Sequence, residues 1–306
     1  MMIIKIIKKI FKIHYINIFK LGLKFKLIIL PDHYYIPIAN ILELQKNKSW
    51  RKKSKLKGIN FNLKKQIKNL NKIIYPEKKN YMNGSIYSEA QQEGYGQGFG
   101  KIEAQALYAV TKNLKPNKIF EIGSGSSTYC MLKAGAKNIT CIEPFPSKLL
   151  KKQKKIKLIE KNVQDVDIKK FKSLNKNDIL LIDSTHTLKI GSDVSYIYLE
   201  VLPQLKKGVI VIIHDIFFPY NYQRDADKSM YQWMETQILQ AFLINNPKIE
   251  ILFCLSTFHY LKPSILKKIF PLYKPQKDKN GIAQSMLGSP KNAGDFPSLF
   301  CFKIIK

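Results

Sequence analysis

Four apolar segments of the sequence each end in acidic or imidazole side chains, and these residue types can do chemistry. A carboxylate can accept hydrogen bonds from hydroxyl groups or hold a divalent metal, and an imidazole can take up a proton near neutral pH. A single residue of this kind could simply cap the helix that follows it, but helix capping is a poor explanation for all four segments together. The residues are Glu121, Glu143, Asp183 with His186, and His214 with Asp215.

The first of these segments runs into a glycine–serine turn. In KIFEIGSGSST, residues 118–128, an apolar stretch is followed by Gly123 and Gly125 and then by hydroxyl residues typical of a helix start. A strand, a tight turn and a helix N-terminus together place backbone N–H groups where they can bind a carboxylate or a phosphate. The turn therefore predicts a ligand site at the end of this strand.

Glu143 narrows the choice of ligand. It lies 18 residues after Gly125, at the end of the next apolar segment, where a carboxylate can accept hydrogen bonds from both hydroxyl groups of a ribose. NAD and S-adenosylmethionine both present such a ribose. A dinucleotide fingerprint has a third glycine where this chain has Thr128, so the pattern favours S-adenosylmethionine. A nicotinamide-dependent oxidoreductase remains an alternative.

The elements that must position these residues alternate between apolar strands and helices. This alternation predicts an α/β fold with a doubly wound, mainly parallel seven-stranded sheet, whose ligands bind beyond the carboxyl ends of the strands. The predicted strands lie at 118–123, 138–144, 156–161, 178–183, 208–215, near 249–256 and at 298–304, and the predicted helices at 102–113, from 127, at 191–205 and near 229–245.

The same segments resemble a known family. The pattern E-x-G-x-G at residues 121–125 resembles class I S-adenosylmethionine-dependent methyltransferases. DILLIDSTHTLKIGSDV and LPQLKKGVIVIIHDIFFP are similar to a group of small-molecule O-methyltransferases that includes relatives of macrocin O-methyltransferase and cephalosporin hydroxylase. Members of that group carry D-x-x-H after the fourth strand and H-D after the fifth. The similarity covers roughly residues 30–306 and implies a Rossmann-like methyltransferase fold.

The resemblance also implies which residues bind S-adenosylmethionine. The glycine turn would shape the pocket for the methionine end, and the helix start would meet the methionine carboxylate. Glu143 would hold the ribose, and Gln164 or Asp165 would meet the adenine edge. The cofactor-binding residues implied are Glu121, Gly123, Ser124, Gly125, Ser127, Thr128, Glu143, Gln164, Asp165 and Asp183.

The acceptor that the resemblance implies is a small hydroxylated molecule, and the leading hypothesis is O-methylation of a sugar or glycan-related metabolite. A hydroxyl acceptor must lose its proton, and His186 or His214 is the predicted base, so the rate should rise through a group titrating near pH 6 to 7. Asp183 and Asp215 are alternatively candidate ligands of a divalent metal. A third acidic ligand is not evident, because Ile216 follows Asp215.

The composition restricts the partners of the chain. The net charge is +30, but the basic residues are 50 lysines with only Arg51 and Arg224, so surface charge is favoured over specific nucleic-acid binding. The four cysteines lie in apolar stretches without metal-finger spacing, which indicates core residues of a reduced, cytoplasmic protein. A catalytically inactive protein of this fold that binds membrane surfaces or nucleic acid remains a second alternative.

The sequence before residue 101 predicts two appendages to the methyltransferase domain at 101–306. Residues 1–80 form a basic, mainly helical extension, and residues 81–100 a glycine-rich loop that is either a lid or a plain linker. Lysines 5, 8, 9 and 12 fall on one face of a helix. That face predicts either peripheral contact of residues 1–20 with the inner membrane surface or docking of the helix on its own domain.

Overall fold

The computed structural model describes residues 14–229, 231–278, 281–282 and 294–306. The chain divides into two compact units, Met1–Lys48 and Ser49–Lys306. In the first unit, residues 14–24 are helical and helix α1 spans Ile41–Lys46, with the Asn40 side chain accepting hydrogen bonds from two backbone N–H groups of its first turn. The predicted basic face at lysines 5, 8, 9 and 12 lies outside the described residues. Within them, no helix is both long enough and apolar enough to cross a membrane.

The second unit is built on a seven-stranded sheet. Its strands follow the apolar segments of the sequence, because β-branched and aromatic residues favour the extended backbone. Two further short strands pair with each other as a separate hairpin. The strands are β1 (Ile119–Ile122), β2 (Ile139–Ile142), β3 (Ile156–Ile159), β4 (Ile179–Ile182), β5 (Ile210–Ile213), β6 (Ile249–Cys254), β7 (Lys277–Asp278), β8 (Gly281–Ile282) and β9 (Phe300–Ile304).

The strand order in the sheet is β3-β2-β1-β4-β5-β9-β6. The pairs from β3 to β5 are parallel, whereas β9 pairs antiparallel with both β5 and β6. The order reverses between β1 and β4, so the crevice for a ligand opens beyond the carboxyl ends of these two strands. This topology places the ends of β1, β2, β4 and β5 at one edge of the sheet.

Helices cover both faces of the sheet, and successive strand residues face opposite sides. Ile119, Leu181 and Ile212 pack into one apolar cluster, while Phe120, Ile182 and Ile213 pack into the other. The helices of this unit are α2 (Leu63–Ile73), α3 (Lys78–Tyr81), α4 (Ser85–Gln92), α5 (Lys101–Leu114), α6 (Ser126–Lys133), α7 (Lys148–Lys152), α8 (Ile168–Lys172), α9 (Asp193–Tyr196, continued by a π-helix at Ile197–Val201), α10 (Glu235–Leu243), α11 (Leu255–Leu261) and α12 (Pro263–Ile269).

The predicted fold class is confirmed: a doubly wound, mainly parallel seven-stranded sheet of the methyltransferase type, with helices N-terminal to it. Two segments differ from their predictions. Residues 49–80 belong to the same compact unit as the sheet, because Leu70 and Ile73 of α2 are buried in its core. The segment 81–100 is half helical, since α4 buries Ile86 and Ala90, and only residues 93–100 form the glycine-rich loop.

Candidate active site

The glycine turn after β1 brings the ends of β1 and β4 into close contact. Gly123 has a φ of +78°, and a Cβ atom at this position would lie 2.0 Å from the backbone oxygen of Asp183. Only glycine avoids both the unfavourable backbone conformation and this overlap. The turn therefore allows the chain to pass closely over the β4 end and start α6 at Ser126.

Glu121 lies beneath this turn with no exposed surface. Its carboxylate accepts hydrogen bonds from the hydroxyl groups of Ser127 and Thr128, both at 2.6 Å, and from the Cys141 thiol at 3.2 Å. The two hydroxyl groups are thus committed to Glu121. Glu121 ties the start of α6 to β1, and it is not among the described residues that line the adjoining cavity.

Burial raises the pKa of Glu121 from 4.5 to about 7, although the three donors act in the opposite direction. As the pH rises from 4.5, the unfolded chain loses this proton first, so folding stability falls until about pH 7. We expect Glu121→Gln to remove this loss, which amounts to roughly 3 kcal/mol. Urea unfolding of both proteins at several pH values measures the difference. The same pH dependence of the unfolding free energy in both proteins would refute the prediction. Glu160→Gln, which changes a surface carboxylate paired with Lys151, is the control.

Glu143 follows β2 and is held by two backbone N–H groups. Ser124 donates to one carboxylate oxygen at 3.3 Å, and Phe145 donates to the other at 2.8 Å. The carboxylate is therefore in direct contact with the glycine turn. It lines a cavity of about 650 Å³, whose wall also contains Gly123, Ser124, Gly125, Ser127 and Asp183.

A neighbouring cavity of about 380 Å³ continues past Glu143 toward the end of β3. Gln164 lines it, and the side-chain amide of Gln164 donates to the Gly191 carbonyl at 2.8 Å. Asp165 instead accepts a hydrogen bond from Asn162 and lies on neither cavity among the described residues. Of the two residues predicted for the adenine edge, the structure brings only Gln164 to the crevice.

Beyond β4 and β5, two imidazoles and two carboxylates converge, and three of these residues, Asp183, His186 and Asp215, line the larger cavity. His214 Nδ1 lies 3.0 Å from Asp183 Oδ1 and 3.5 Å from Asp215 Oδ2. His186 Nε2 lies 3.5 Å and 3.6 Å from the same two oxygen atoms. His186 and Asp215 both adopt a positive φ, which is uncommon outside glycine and clusters at functional sites. The four predicted catalytic residues are therefore one cluster.

Two further carboxylates, which were not predicted, hold the outer sides of the imidazoles. Glu235, at the start of α10, lies 2.7 Å from His186 Nδ1, and Glu103, in the first turn of α5, lies 3.2 Å from His214 Nε2. Glu103 also accepts hydrogen bonds from the backbone N–H and the hydroxyl group of Ser298. Each imidazole thus bridges an outer glutamate and the inner aspartates.

The charges of this cluster correct the prediction that an imidazole titrates near pH 6 to 7. Burial alone would lower the pKa of His186, but the surrounding carboxylates raise it to about 10, and they raise the pKa of His214 as well. Burial would likewise raise the pKa of Asp183, yet the two imidazoles hold it well below its usual range. The surrounding carboxylates therefore favour the protonated form of both imidazoles in this arrangement.

A third cavity of about 300 Å³ meets the cluster from the other side. His214 and Asp215 line it, together with charged, amide and aromatic side chains, and it shares Gly98, Phe99 and Asp215 with the larger cavity. The Phe99 ring lies 4.7 Å from the His214 ring, centroid to centroid. The cluster therefore stands where two cavities meet. The remaining polar and aromatic wall of the smaller one consists of Tyr87, Gln97, Lys101, Glu103, Asp295 and Phe296.

Comparison with known proteins gives matches to this part of the chain. Residues 120–216, from β1 to just after β5, match the family described as "Methyltransferase domain". An uncharacterised protein from Archaeoglobus fulgidus is 32% identical over 170 residues, which cover 49% of this chain and 75% of that protein.

Two solved structures resemble the fold with a TM-score of 0.39 each. One is a methyltransferase from Podospora anserina bound to S-adenosylhomocysteine, with 15% identity over 72% of this chain and 87% of that chain. The other is an O-methyltransferase from Bacillus cereus, also in complex with S-adenosylhomocysteine, with 10% identity over 78% of this chain and 96% of that chain. Similarity at this level concerns the fold alone.

Proposed function

The chain belongs to the family of the Archaeoglobus fulgidus protein and carries a methyltransferase domain at residues 120–216, and from this premise we propose that it transfers a methyl group from S-adenosylmethionine to a hydroxyl group of a small molecule. The observation that carries the proposal is that the glycine turn and Glu143 line one cavity together with Asp183, His186 and Asp215 of the imidazole–carboxylate cluster.

The cofactor follows from the shape of the crevice. The adenosyl ribose lies against Glu143, the adenine extends toward Gln164, and the methionine end lies over the glycine turn at the N-terminus of α6. Backbone N–H groups there favour the methionine carboxylate, because the first turn of a helix leaves them without partners. The sulfonium then stands near Asp183, whose carboxylate lines both cavities of this crevice.

The acceptor enters through the third cavity and meets the cluster at Asp215. Methyl transfer breaks the bond between the methyl carbon and sulfur, forms a bond between that carbon and the acceptor oxygen, and releases the hydroxyl proton. Asp183 and Asp215 orient the hydroxyl group, and Asp215, which lines both the larger and the third cavity, receives its proton. S-adenosylhomocysteine and a methyl ether are the products.

The wall of the third cavity supports a polyhydroxylated acceptor such as a sugar. It combines the aromatic rings of Tyr87 and Phe296 with the amide of Gln97 and the charged pair of Lys101 and Asp295, whose nearest atoms are 3.5 Å apart. Rings that cover the apolar face of a ligand, and polar groups that fix its hydroxyl groups, give specificity in small-molecule sites. This wall is the basis for proposing a sugar or glycan-related acceptor.

Glu143→Ala tests the cofactor assignment. Two hydrogen bonds from the ribose to a charged carboxylate contribute roughly 1.5–3 kcal/mol each, so we expect the affinity for S-adenosylhomocysteine to fall at least about tenfold. Calorimetric titration gives the affinity, and thermal unfolding confirms that the variant is folded. A folded variant with the affinity of the wild type would disprove the assignment.

Two controls separate ribose binding from a general loss of the site. Glu160→Ala removes an exposed carboxylate that pairs with Lys151 and should leave the affinity unchanged. The 2′-deoxy analogue of S-adenosylhomocysteine should bind the wild type more weakly than the parent compound. It should show little further loss in Glu143→Ala, because the partner of the missing hydroxyl group is then already absent.

A further inference from the structure

The two arginines of the chain, Arg51 and Arg224, contact each other at the loop between β5 and α10, residues 216–234. Arg224 Nη1 donates a hydrogen bond to the backbone carbonyl of Arg51 at 2.9 Å. Arg51 Nη2 donates to Asp227 Oδ1 at 2.7 Å, and the Asp227 side chain is buried. Hydrogen bonds between a guanidinium and a carboxylate are stronger than those between neutral groups. The segment around Arg51 is thus tied to this loop by both arginines.

Both guanidinium groups also stack on aromatic rings. The Arg51 guanidinium lies 4.9 Å from the centre of the Trp50 ring, and that of Arg224 lies 4.3 Å from the centre of the Tyr220 ring. Tyr220 in turn packs edge-on against Tyr260 of α11, with 4.7 Å between ring centroids. A planar guanidinium can pair and stack at the same time, which a lysine ammonium does less well. In a chain with 50 lysines, arginine therefore stands at the two positions that require both contacts.

The far end of the same loop carries two aromatic residues to the active site. The Trp233 ring lies 4.8 Å from the His186 ring, centroid to centroid, and the exposed Tyr231 lines the larger cavity beside it. The Gln223 side-chain amide donates to the Tyr231 carbonyl at 2.8 Å and links this end to the anchored middle of the loop. Among the described residues, neither ring lines the cavity that continues toward Gln164. Both rings therefore face the end of the crevice at His186.

We infer that Arg51 and Arg224 are positioning residues of the active site: they anchor the loop between β5 and α10 and thereby hold Tyr231 and Trp233 at the reacting end of the crevice. The consequence for catalysis rests on the proposed methyl transfer, because a small misplacement of groups around a reacting centre lowers the rate. The anchoring itself is measurable without cofactor or acceptor. Failure of one proposal can therefore be distinguished from failure of the other.

Tryptophan fluorescence tests the anchoring, because Trp50 and Trp233 are the two tryptophans of the chain. Trp50→Phe keeps an aromatic ring beside Arg51 and leaves Trp233 as the single emitting tryptophan. In this background we expect Arg51→Met and Arg224→Met each to raise the acrylamide quenching of Trp233 at least about twofold, because a released loop opens locally to solvent. Quenching that stays at the level of the background protein in both variants would overturn the inference.

Methyl transfer measures the consequence at a temperature where circular dichroism shows each variant to be folded. We expect Arg51→Met and Arg224→Met to lower the rate about 10-fold to 100-fold and to change the affinity for S-adenosylhomocysteine by less than about threefold. Lys65→Met is the matched control, since it removes the cation of an ion pair with Glu250 at 2.8 Å outside the loop, and it should change neither the quenching nor the rate. Arginine variants that unfold at a lower temperature but keep the quenching of the background protein and the wild-type rate would contradict the inference, because the arginines would then only stabilise the fold.

Discussion

Asp183→Asn is expected to lower the rate of methyl transfer by about 10²–10⁴-fold. Asp183 lines both cofactor-side cavities and lies 3.0 Å from His214 Nδ1 and 3.5 Å from His186 Nε2. The amide has nearly the same shape but cannot hold the charge that orients both imidazoles and the acceptor hydroxyl group. Transfer of labelled methyl groups to a panel of hydroxylated acceptors gives the rate.

The affinity of Asp183→Asn for S-adenosylhomocysteine should change by less than about threefold, because the ribose and the methionine carboxylate are bound elsewhere. Asp167→Asn is the matched control. Asp167 caps α8 through a hydrogen bond from the Lys169 N–H, and asparagine caps a helix equally well. Full turnover by the Asp183 variant with the best acceptor would show that this carboxylate has no part in the reaction.

Gly123→Ala is expected to destabilise the fold far more than an ordinary glycine substitution. Gly135 provides the comparison, because its φ is +91° and a Cβ atom there would have no neighbour within 4 Å. Gly135→Ala should therefore lose only the roughly 1–2 kcal/mol of the left-handed backbone conformation. Gly123→Ala has the same strain, and its Cβ atom would also lie 2.0 Å from the backbone oxygen of Asp183, which follows β4.

Urea unfolding measures both glycine variants. We expect Gly123→Ala to lose more than about 3 kcal/mol of unfolding free energy, or to fail to accumulate as folded protein, while Gly135→Ala loses only about 1–2 kcal/mol. Equal losses of unfolding free energy in the two variants would mean that the close approach of β1 and β4 is not required.

The sequence predicted best those features that depend on the local pattern of apolar and polar residues. Apolar runs predicted the strands, and parallel strands necessarily place their carboxyl ends at one edge, so Glu143, Asp183 and the pair His214–Asp215 could be assigned to one site. The buried cysteines were predicted for the same reason, since all four lie in apolar segments and are buried and unpaired in the structure.

The parts that were missed depend on contacts between distant residues. Glu103 and Glu235 stand near helix starts, where an acidic residue is ordinarily explained by the helix dipole, and only tertiary packing shows that both are buried against imidazoles. One signal was available: each is a charged residue on an otherwise apolar helix face. The pKa of His186 could not be predicted, because it follows from carboxylates on three different elements.

The segment 85–92 shows a second limit of local pattern. Its sequence, SIYSEAQQ, has little apolar periodicity, and glycines surround it, so a loop was predicted. Its helix is stabilised by tertiary contacts, since Ile86 and Ala90 are fully buried and the Gln91 side chain donates to Ser126 Oγ at 3.1 Å. Tertiary packing, rather than propensity, decides helix formation in segments this short.

The most direct test of the central claim is calorimetric titration of the wild-type protein with S-adenosylhomocysteine and, separately, with NAD. The account predicts that S-adenosylhomocysteine binds once per chain and that NAD does not compete for the site. Binding of NAD in the crevice between Gly123 and Glu143, without binding of S-adenosylhomocysteine, would contradict it.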